Sequence, residues 1–112
     1  VEDDYTSYLY FENLLESTSV NIMHAESAGK AWEIFYNEKI DLILMDIRLE
    51  GENGLDLTQR IRKIDQTTPI IAQTAYALSD DRKKCLDAGC DDYITKPIES
   101  ETLFEKIDQF LG

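Results

Sequence analysis

The feature of this sequence that most constrains its fold is an apolar run that ends on an acid. Leu42 to Met45 are four consecutive apolar residues, and Asp46 follows them directly. Such a run predicts a β-strand that is buried on both faces, and the polar, glycine-containing stretch at residues 47–54 predicts a turn after it. In open sheets of parallel strands, ligands bind beyond the carboxyl ends of the strands, so we expect Asp46 at the floor of such a crevice.

Strand patterns and helix patterns alternate along the chain. Helices are predicted in five stretches, at residues 7–15, 28–35, 54–64, 79–88 and 100–111. The apolar stripe of the third reaches Ile64, and this helix is expected to end near Thr67-Thr68-Pro69, because the residue before a proline avoids the α region. Short strands are predicted between the helices, at Val1 and at residues 20–25, 42–45, 70–73 and 93–95. This alternation predicts an α/β fold in which helices cover both faces of a parallel sheet. The 112 residues suffice for one domain, and the fourth predicted helix has so little apolar content that we expect it to move easily.

Charge and composition limit the classes of partner. The chain has 11 basic and 23 acidic side chains and a formal net charge of −12, which argues against direct binding to nucleic acid or to an anionic membrane. No apolar run approaches the ~18 residues that a membrane span needs. Cys85 and Cys90 have no second pair at metal-ligand spacing, so we interpret them as reduced thiols of a cytoplasmic protein.

Polar side chains follow four of the five predicted strands. They are Glu2 with Asp3, Asp46, Thr74 and Lys96. Because parallel strands end at the same edge of a sheet, we expect these side chains to meet in one crevice. Several carboxylates at one point repel one another unless a cation is present, and hard oxygen ligands suit Mg²⁺.

This set of groups suits phosphoryl transfer. Asp46 is the predicted nucleophile, which accepts a phosphoryl group as an acyl phosphate. Asp3 and Asp46, and more distantly Glu2, are predicted to hold Mg²⁺, while Lys96 supplies a second positive charge. Thr74 is predicted to donate a hydrogen bond to a phosphoryl oxygen.

Together these residues resemble the receiver domain of two-component response regulators. The resemblance covers the whole chain in order and rests on Val1 to Asp4, Asp41 to Asp46, Gly54, Thr74-Ala75, Ala88 to Tyr93 and Lys96-Pro97. It implies a single receiver domain over residues 1–112, with a flavodoxin-like three-layer sandwich and a five-stranded parallel sheet in the order 2-1-3-4-5. The first strand is expected to be truncated, because only Val1 precedes the acidic pair.

The resemblance also implies residue roles. Asp46 is then the phosphoacceptor, and its phosphodonor is a phosphohistidine of a histidine kinase or of a histidine phosphotransfer domain. The backbone carbonyl of Arg48 joins the Mg²⁺ ligands, and Glu2 contributes through a water molecule. Thr74 and Tyr93 are the switch residues, and the bond before Pro97 is expected to be cis.

Phosphorylation is expected to change one surface of the domain. The resemblance places this surface on the fourth helix, fifth strand and fifth helix, which is also the expected face for a homodimer. The isolated domain is not expected to be a turnover enzyme, although the parent protein can be a histidine kinase.

Three alternative functions differ in class. A haloacid-dehalogenase-like phosphatase carries its general acid two residues after the nucleophile, where this chain has Arg48. A flavodoxin-like flavin binder needs a phosphate-cradling loop after the first strand, where Glu2 to Asp4 repel phosphate. A docking module that works without phosphorylation is the third alternative, although both the acceptor and the lysine are intact here.

Overall fold

The computed structural model describes residues 1, 9, 12, 23–25, 27–49, 52–74, 79–95 and 98–111. These residues form the helices α1 (Ala28–Asn37), α2 (Gly54–Arg62), α3 (Ser79–Ala88) and α4 (Ser100–Leu111) and the strands β1 (Ile43–Asp46), β2 (Arg48–Leu49), β3 (Glu52–Asn53), β4 (Ile70–Thr74) and β5 (Asp92–Thr95). The helices α1 to α4 correspond to the second to fifth predicted helices. Leu9 and Glu12, within the first predicted helix, are helical as well. Within these ranges, no helix combines the length and the apolar character that crossing a membrane requires.

The strands β1, β4 and β5 form one parallel sheet with β4 in the centre. Its register pairs Asp46 of β1 with Gln73 of β4, and Thr74 of β4 with Thr95 of β5. The carboxyl ends of all three strands therefore lie at one edge of the sheet, as the sequence predicts.

Val1 extends this sheet on the other side of β1. The Val1 nitrogen donates a hydrogen bond to the carbonyl of Leu44, and the N–H of Asp46 donates to the carbonyl of Val1 at 3.1 Å. This pair of bonds is the pattern of a parallel ladder in which Val1 lies beside Met45. The residue that precedes the acidic pair in the sequence thus adjoins the strand that carries Asp46.

Helices cover both faces of the sheet. The cluster on one face takes Ala28 and Ala31 from α1, Leu57 and Ile61 from α2, and Cys85 from α3, and it packs on Ile43, Met45, Ile70 and Ala72 of the sheet. The cluster on the other face joins Leu103 and Ile107 of α4 to Ile71, Ile94 and Ile98. All five residues of β4 are buried, as expected for a strand covered on both faces.

The segment after β1 contains a short hairpin in place of a simple turn. Strands β2 and β3 pair antiparallel, with Arg48 opposite Asn53 and Leu49 opposite Glu52. The Asn53 side chain then accepts a hydrogen bond from the N–H of Leu55 at 2.8 Å and begins α2. Two-residue strands leave too little alternation in a sequence to be recognised as strands.

The predicted end of α2, near Thr67-Thr68-Pro69, is wrong by more than one turn of helix. The helix ends at Arg62, and Ile64, which was assigned to the apolar stripe, is 53% exposed. The carboxylate of Asp65 accepts hydrogen bonds from the backbone N–H groups of Thr67 and Thr68 at 2.8 and 3.1 Å. This local turn offers the backbone an alternative to a further helical turn and ends the helix early.

The second predicted strand is described only in part. Met23 to Ala25 are not in a strand, and residues 20–22 lie outside the described residues. Ala25 is nevertheless buried in the core cluster beneath α1. The cap of the following helix agrees with the prediction, because Ser27 accepts a hydrogen bond from the N–H of Lys30 at 3.2 Å.

At the sheet edge opposite the strand ends, Arg62 links three segments. Its guanidinium donates to the carbonyls of Gly89 and Thr68, both at 2.8 Å, and to the carboxylate of Asp91 at 2.7 Å. Gly89 has a φ of +113°, and a Cβ there would lie 2.7 Å from the Cγ of Arg62. The end of α2 is thereby held against the turn that closes α3 and against the segment that enters β5.

Candidate functional site

Asp46 is a buried carboxylate at the carboxyl end of β1. It is 4% exposed, although it is the last residue of its strand. Its backbone is fixed on one side by the bond from its N–H to Val1, and the next residue, Ile47, donates to the carbonyl of Gln73 at 3.3 Å. Asp46 is therefore positioned by neighbours on both sides, which suits a reacting group better than a surface loop would.

The first residue of α2 packs directly against the backbone of Asp46. A Cβ placed on Gly54 would lie 2.1 Å from the carbonyl oxygen of Asp46, so no other residue fits there without a backbone shift. The N–H of Gly54 donates to the carbonyl of Ile47 at 3.1 Å, and the buried hydroxyl of Thr58 donates to the carbonyl of Gly54 at 2.9 Å. The start of α2 thus sets the position of the residue that carries the carboxylate.

Thr74 ends the neighbouring strand. It is 2% exposed and lies opposite Thr95 of β5. Because Gln73 is the register partner of Asp46, Thr74 lies one residue beyond Asp46 at the same edge of the sheet. The structure therefore brings together two of the residues that the sequence predicts to meet.

Tyr93 lies on β5 at the surface shared with α3 and α4. The guanidinium of Arg82, on α3, is 5.8 Å from the centre of the Tyr93 ring. Lys106 of α4 forms an ion pair with Asp92 of β5 at 2.7 Å. Each contact joins one helix to β5, so this strand connects the two helices of the predicted switch surface.

Gln73 is a residue of this edge that sequence reasoning missed. It lies between Asp46 and Ile94 in the sheet register and is 1% exposed. Its side-chain oxygen Oε1 is buried and has no hydrogen-bond partner among the described residues. The available signal was a single amide in the otherwise apolar run of residues 70–73.

Four predicted site residues lie outside the described residues. They are Glu2, Asp3, Lys96 and Pro97, and of Arg48 only the backbone, in β2, is described. Over the described part of the chain, no group of three or more His, Cys, Asp or Glu side chains is placed to hold a metal ion. Asp46 is the one described carboxylate of the predicted Mg²⁺ ligands, and its hard oxygens fit that ion.

Cys85 and Cys90 are both buried in the core cluster of α1, α2 and α3. Burial raises the pKa of the Cys90 thiol to about 11, and its sulfur contacts the Thr58 hydroxyl at 4.0 Å. A thiol that stays protonated at neutral pH is a poor nucleophile and a poor metal ligand. Both cysteines act as small apolar residues of the core.

The chain is similar to known proteins over its whole length. Residues 1–108 match the family described as the response regulator receiver domain. The chain is 32% identical to the polar-differentiation response regulator DivK of Brucella anthropi, over the whole chain and 93% of that protein. It is 31% identical to the sensor protein GacS of Pseudomonas syringae, again over the whole chain but over only 13% of that protein.

Solved structures show the same fold. A response regulator from Chloroflexus aurantiacus matches 99% of this chain and 93% of its own, with a TM-score of 0.93 at 28% identity. The receiver domain of the sensor histidine kinase PA1611 from Pseudomonas aeruginosa matches 98% of this chain and 92% of its own, with a TM-score of 0.88 at 33% identity. That second structure has a magnesium ion coordinated in its active site cleft. The predicted flavodoxin-like α/β fold is confirmed.

Proposed function

Since this chain belongs to the response regulator receiver domains, the phosphoacceptor modules of two-component signalling, we propose that Asp46 is the residue that accepts the phosphoryl group. The observation that carries this assignment is a buried carboxylate at the carboxyl end of β1, one register position from the hydroxyl-bearing Thr74. The phosphatase and flavin-binder alternatives are set aside, because the family match spans residues 1–108.

The reaction follows from the carboxylate at this position. An oxygen of Asp46 attacks the phosphorus of a phosphohistidine, an acyl phosphate forms, and the P–N bond breaks. The leaving imidazole keeps the electron pair of that bond and takes up a proton. The hydroxyl of Thr74 donates a hydrogen bond to a phosphoryl oxygen, and Lys96 adds a positive charge beside the developing negative charge.

The proposed cofactor is Mg²⁺, held by Asp3, Asp46 and the backbone carbonyl of Arg48, with Glu2 acting through a water molecule. When bound, it neutralises the phosphoryl oxygens and the crowded carboxylates. The oxygen-only donor set and the bound magnesium of the PA1611 receiver domain support this choice.

The proposed partner is a phosphohistidine-bearing histidine kinase or histidine phosphotransfer domain in the cytoplasm. A relative of nearly this length and a much longer sensor protein both match the whole chain, so the fold serves a separate regulator and a kinase segment equally well. We propose that residues 1–112 form a single receiver domain in either setting.

The proposed output surface is formed by α3, β5 and α4. Thr74 and Tyr93 are its switch residues, and the same surface is the proposed homodimer face. The helix α3 supports this role because it buries little: Leu86 is 42% exposed, while Cys85 and Ala88 are buried. An element with few apolar anchors moves at low cost in free energy.

Substitution of Asp46 tests the assignment. Asp46→Asn keeps the size of the side chain but removes the nucleophilic oxygen, so incorporation of base-labile, acid-stable phosphate from a small phosphodonor with Mg²⁺ should be abolished. Asp41→Asn is the matched control, because Asp41 is exposed ahead of β1 and should leave incorporation unchanged. Undiminished labelling of the Asp46→Asn chain would overturn the proposal.

A further inference from the structure

We propose that Gln73 is a positioning residue of the phosphorylation site, whose Oε1 accepts a hydrogen bond from a positively charged donor of the loaded site. This inference rests on the proposed function of Asp46. The observation behind it is the buried Oε1 without a hydrogen-bond partner among the described residues, on the register neighbour of the proposed acceptor.

The sheet register places Gln73 next to Asp46 on the same face. Register partners in a sheet project their side chains to one side, and Gln73 pairs with Asp46 on β1 and with Ile94 on β5. Ile94 and Ile71, the latter two residues before Gln73 on the same strand, belong to the apolar cluster beneath α4. The amide of Gln73 therefore lies where that cluster meets the carboxylate.

Core packing does not explain an amide at this position. A buried acceptor without a donor destabilises the folded state, and an apolar side chain of similar volume would fit the surrounding isoleucines without that cost. Most buried polar groups in proteins are hydrogen-bonded, so an unpartnered one calls for a specific reason. The reason we infer is a donor that arrives with the reacting groups.

The neighbours of Gln73 on its face of the sheet limit what this donor is. The carboxylate of Asp46, when ionised, only accepts hydrogen bonds, and Ile94 is apolar. A positively charged donor would be attracted to both the carboxylate and the amide oxygen. Two sources supply this chemistry at the proposed site, a water molecule on the bound divalent cation and the ammonium group of Lys96.

The test compares Gln73→Met with Ile71→Met. The control introduces the same side chain on the same strand and face, two residues farther from the edge, at a position that is fully buried. Three quantities are measured for each chain: the urea midpoint of unfolding, the dissociation constant for Mg²⁺ by calorimetry, and the rate constant of phosphorylation by a small phosphodonor. Wild type and Asp46→Asn are labelled first, so failure of the proposed function is seen independently of Gln73.

We expect Gln73→Met to be at least as stable as wild type, yet to be phosphorylated about tenfold more slowly, the usual size of a lost hydrogen bond to a charged group. Weaker Mg²⁺ binding by a similar factor identifies a cation-bound water as the donor. Unchanged Mg²⁺ binding, with a rate loss that disappears in a Lys96→Met background, identifies the ammonium group. Phosphorylation and Mg²⁺ binding equal to those of Ile71→Met, or a loss of stability beyond that of the control, would overturn the proposal.

Discussion

Replacing Gly54 with alanine should damage both stability and phosphorylation. The added Cβ would lie 2.1 Å from the carbonyl oxygen of Asp46 and 2.9 Å from the Cα of Ile47, whereas real Cβ contacts essentially never fall below 3.0 Å. Both obstructing atoms belong to the backbone, so no side-chain rotation relieves the clash. The start of α2 or the end of β1 must shift by roughly 1 Å, a displacement that can slow a reaction about a hundredfold.

The expected cost in stability combines two opposing effects. Alanine favours a helix over glycine by up to about 1 kcal/mol, whereas overpacking a rigid site costs about 1–3 kcal/mol and sometimes more. We expect the free energy of unfolding of Gly54→Ala to fall by about 2 kcal/mol, because backbone atoms yield less than side chains. Gly29 of α1 provides the control, since nothing lies within 4 Å of its added Cβ. Gly29→Ala should raise the free energy of unfolding by about 0.5–1 kcal/mol.

Urea unfolding and phosphate incorporation measure these two effects. Gly54→Ala should unfold at a lower urea concentration than wild type and Gly29→Ala at a higher one, with similar slopes. The phosphorylation rate should fall only in Gly54→Ala. Equal stability of the two variants, with wild-type phosphorylation in both, would refute the claim that α2 positions Asp46 through this contact.

Two further predictions concern stability. Arg62→Met should lower the free energy of unfolding by about 2–4 kcal/mol, because the bonds to Gly89, Thr68 and Asp91 and a fourth to the carbonyl of Asp65 are lost. Lys30→Met removes only the exposed ion pair with Glu33, at 3.9 Å, and should change it by less than about 0.5 kcal/mol, so equal urea midpoints of the two variants would contradict this. Hydrogen bonds from Thr68 and Thr67 hold the pKa of the Asp65 carboxyl well below its usual range, so its contribution to stability is present above the unfolded-state pKa and is lost as the pH falls. Asp65→Asn should therefore be less stable than wild type at pH 7, and urea unfolding at a series of pH values should show this difference shrinking below about pH 4. A difference in stability that does not change with pH would argue against a contribution from the ionised Asp65 carboxylate.

The sheet and its helices were predictable because their signals are local and repeated. The buried strands β1 and β4 are apolar runs with polar residues only at their carboxyl ends, and α3 has the predicted bounds of Ser79 and Ala88. The end of α2 was not predictable from periodicity alone. Ile64 continues the apolar stripe, and the turn that ends the helix depends on hydrogen bonds from two threonines to Asp65.

The same distinction holds for the site. Asp46 and Thr74 were predicted to meet because parallel strands end at one edge, and the register confirms their proximity. Gln73 was not predicted as a site residue, because a sequence does not show the neighbours of a buried atom. The structure is needed to see that its Oε1 has no hydrogen-bond partner among the described residues. The predicted contributions of Glu2, Asp3 and Lys96 lie outside the described residues and stay predictions.

The contacts of Arg62 have a mechanical consequence for α3. They anchor Gly89, just past the last turn of this helix, to α2 and to the entry of β5, whereas its first turn begins five residues after Thr74 in the chain. A helix that is held at its last turn and displaced at its first turn rotates about the held end. If phosphorylation displaces α3, its first turn should travel farthest and its last turn least, so a spectroscopic distance probe at Lys83 should report a larger change than one at Asp87.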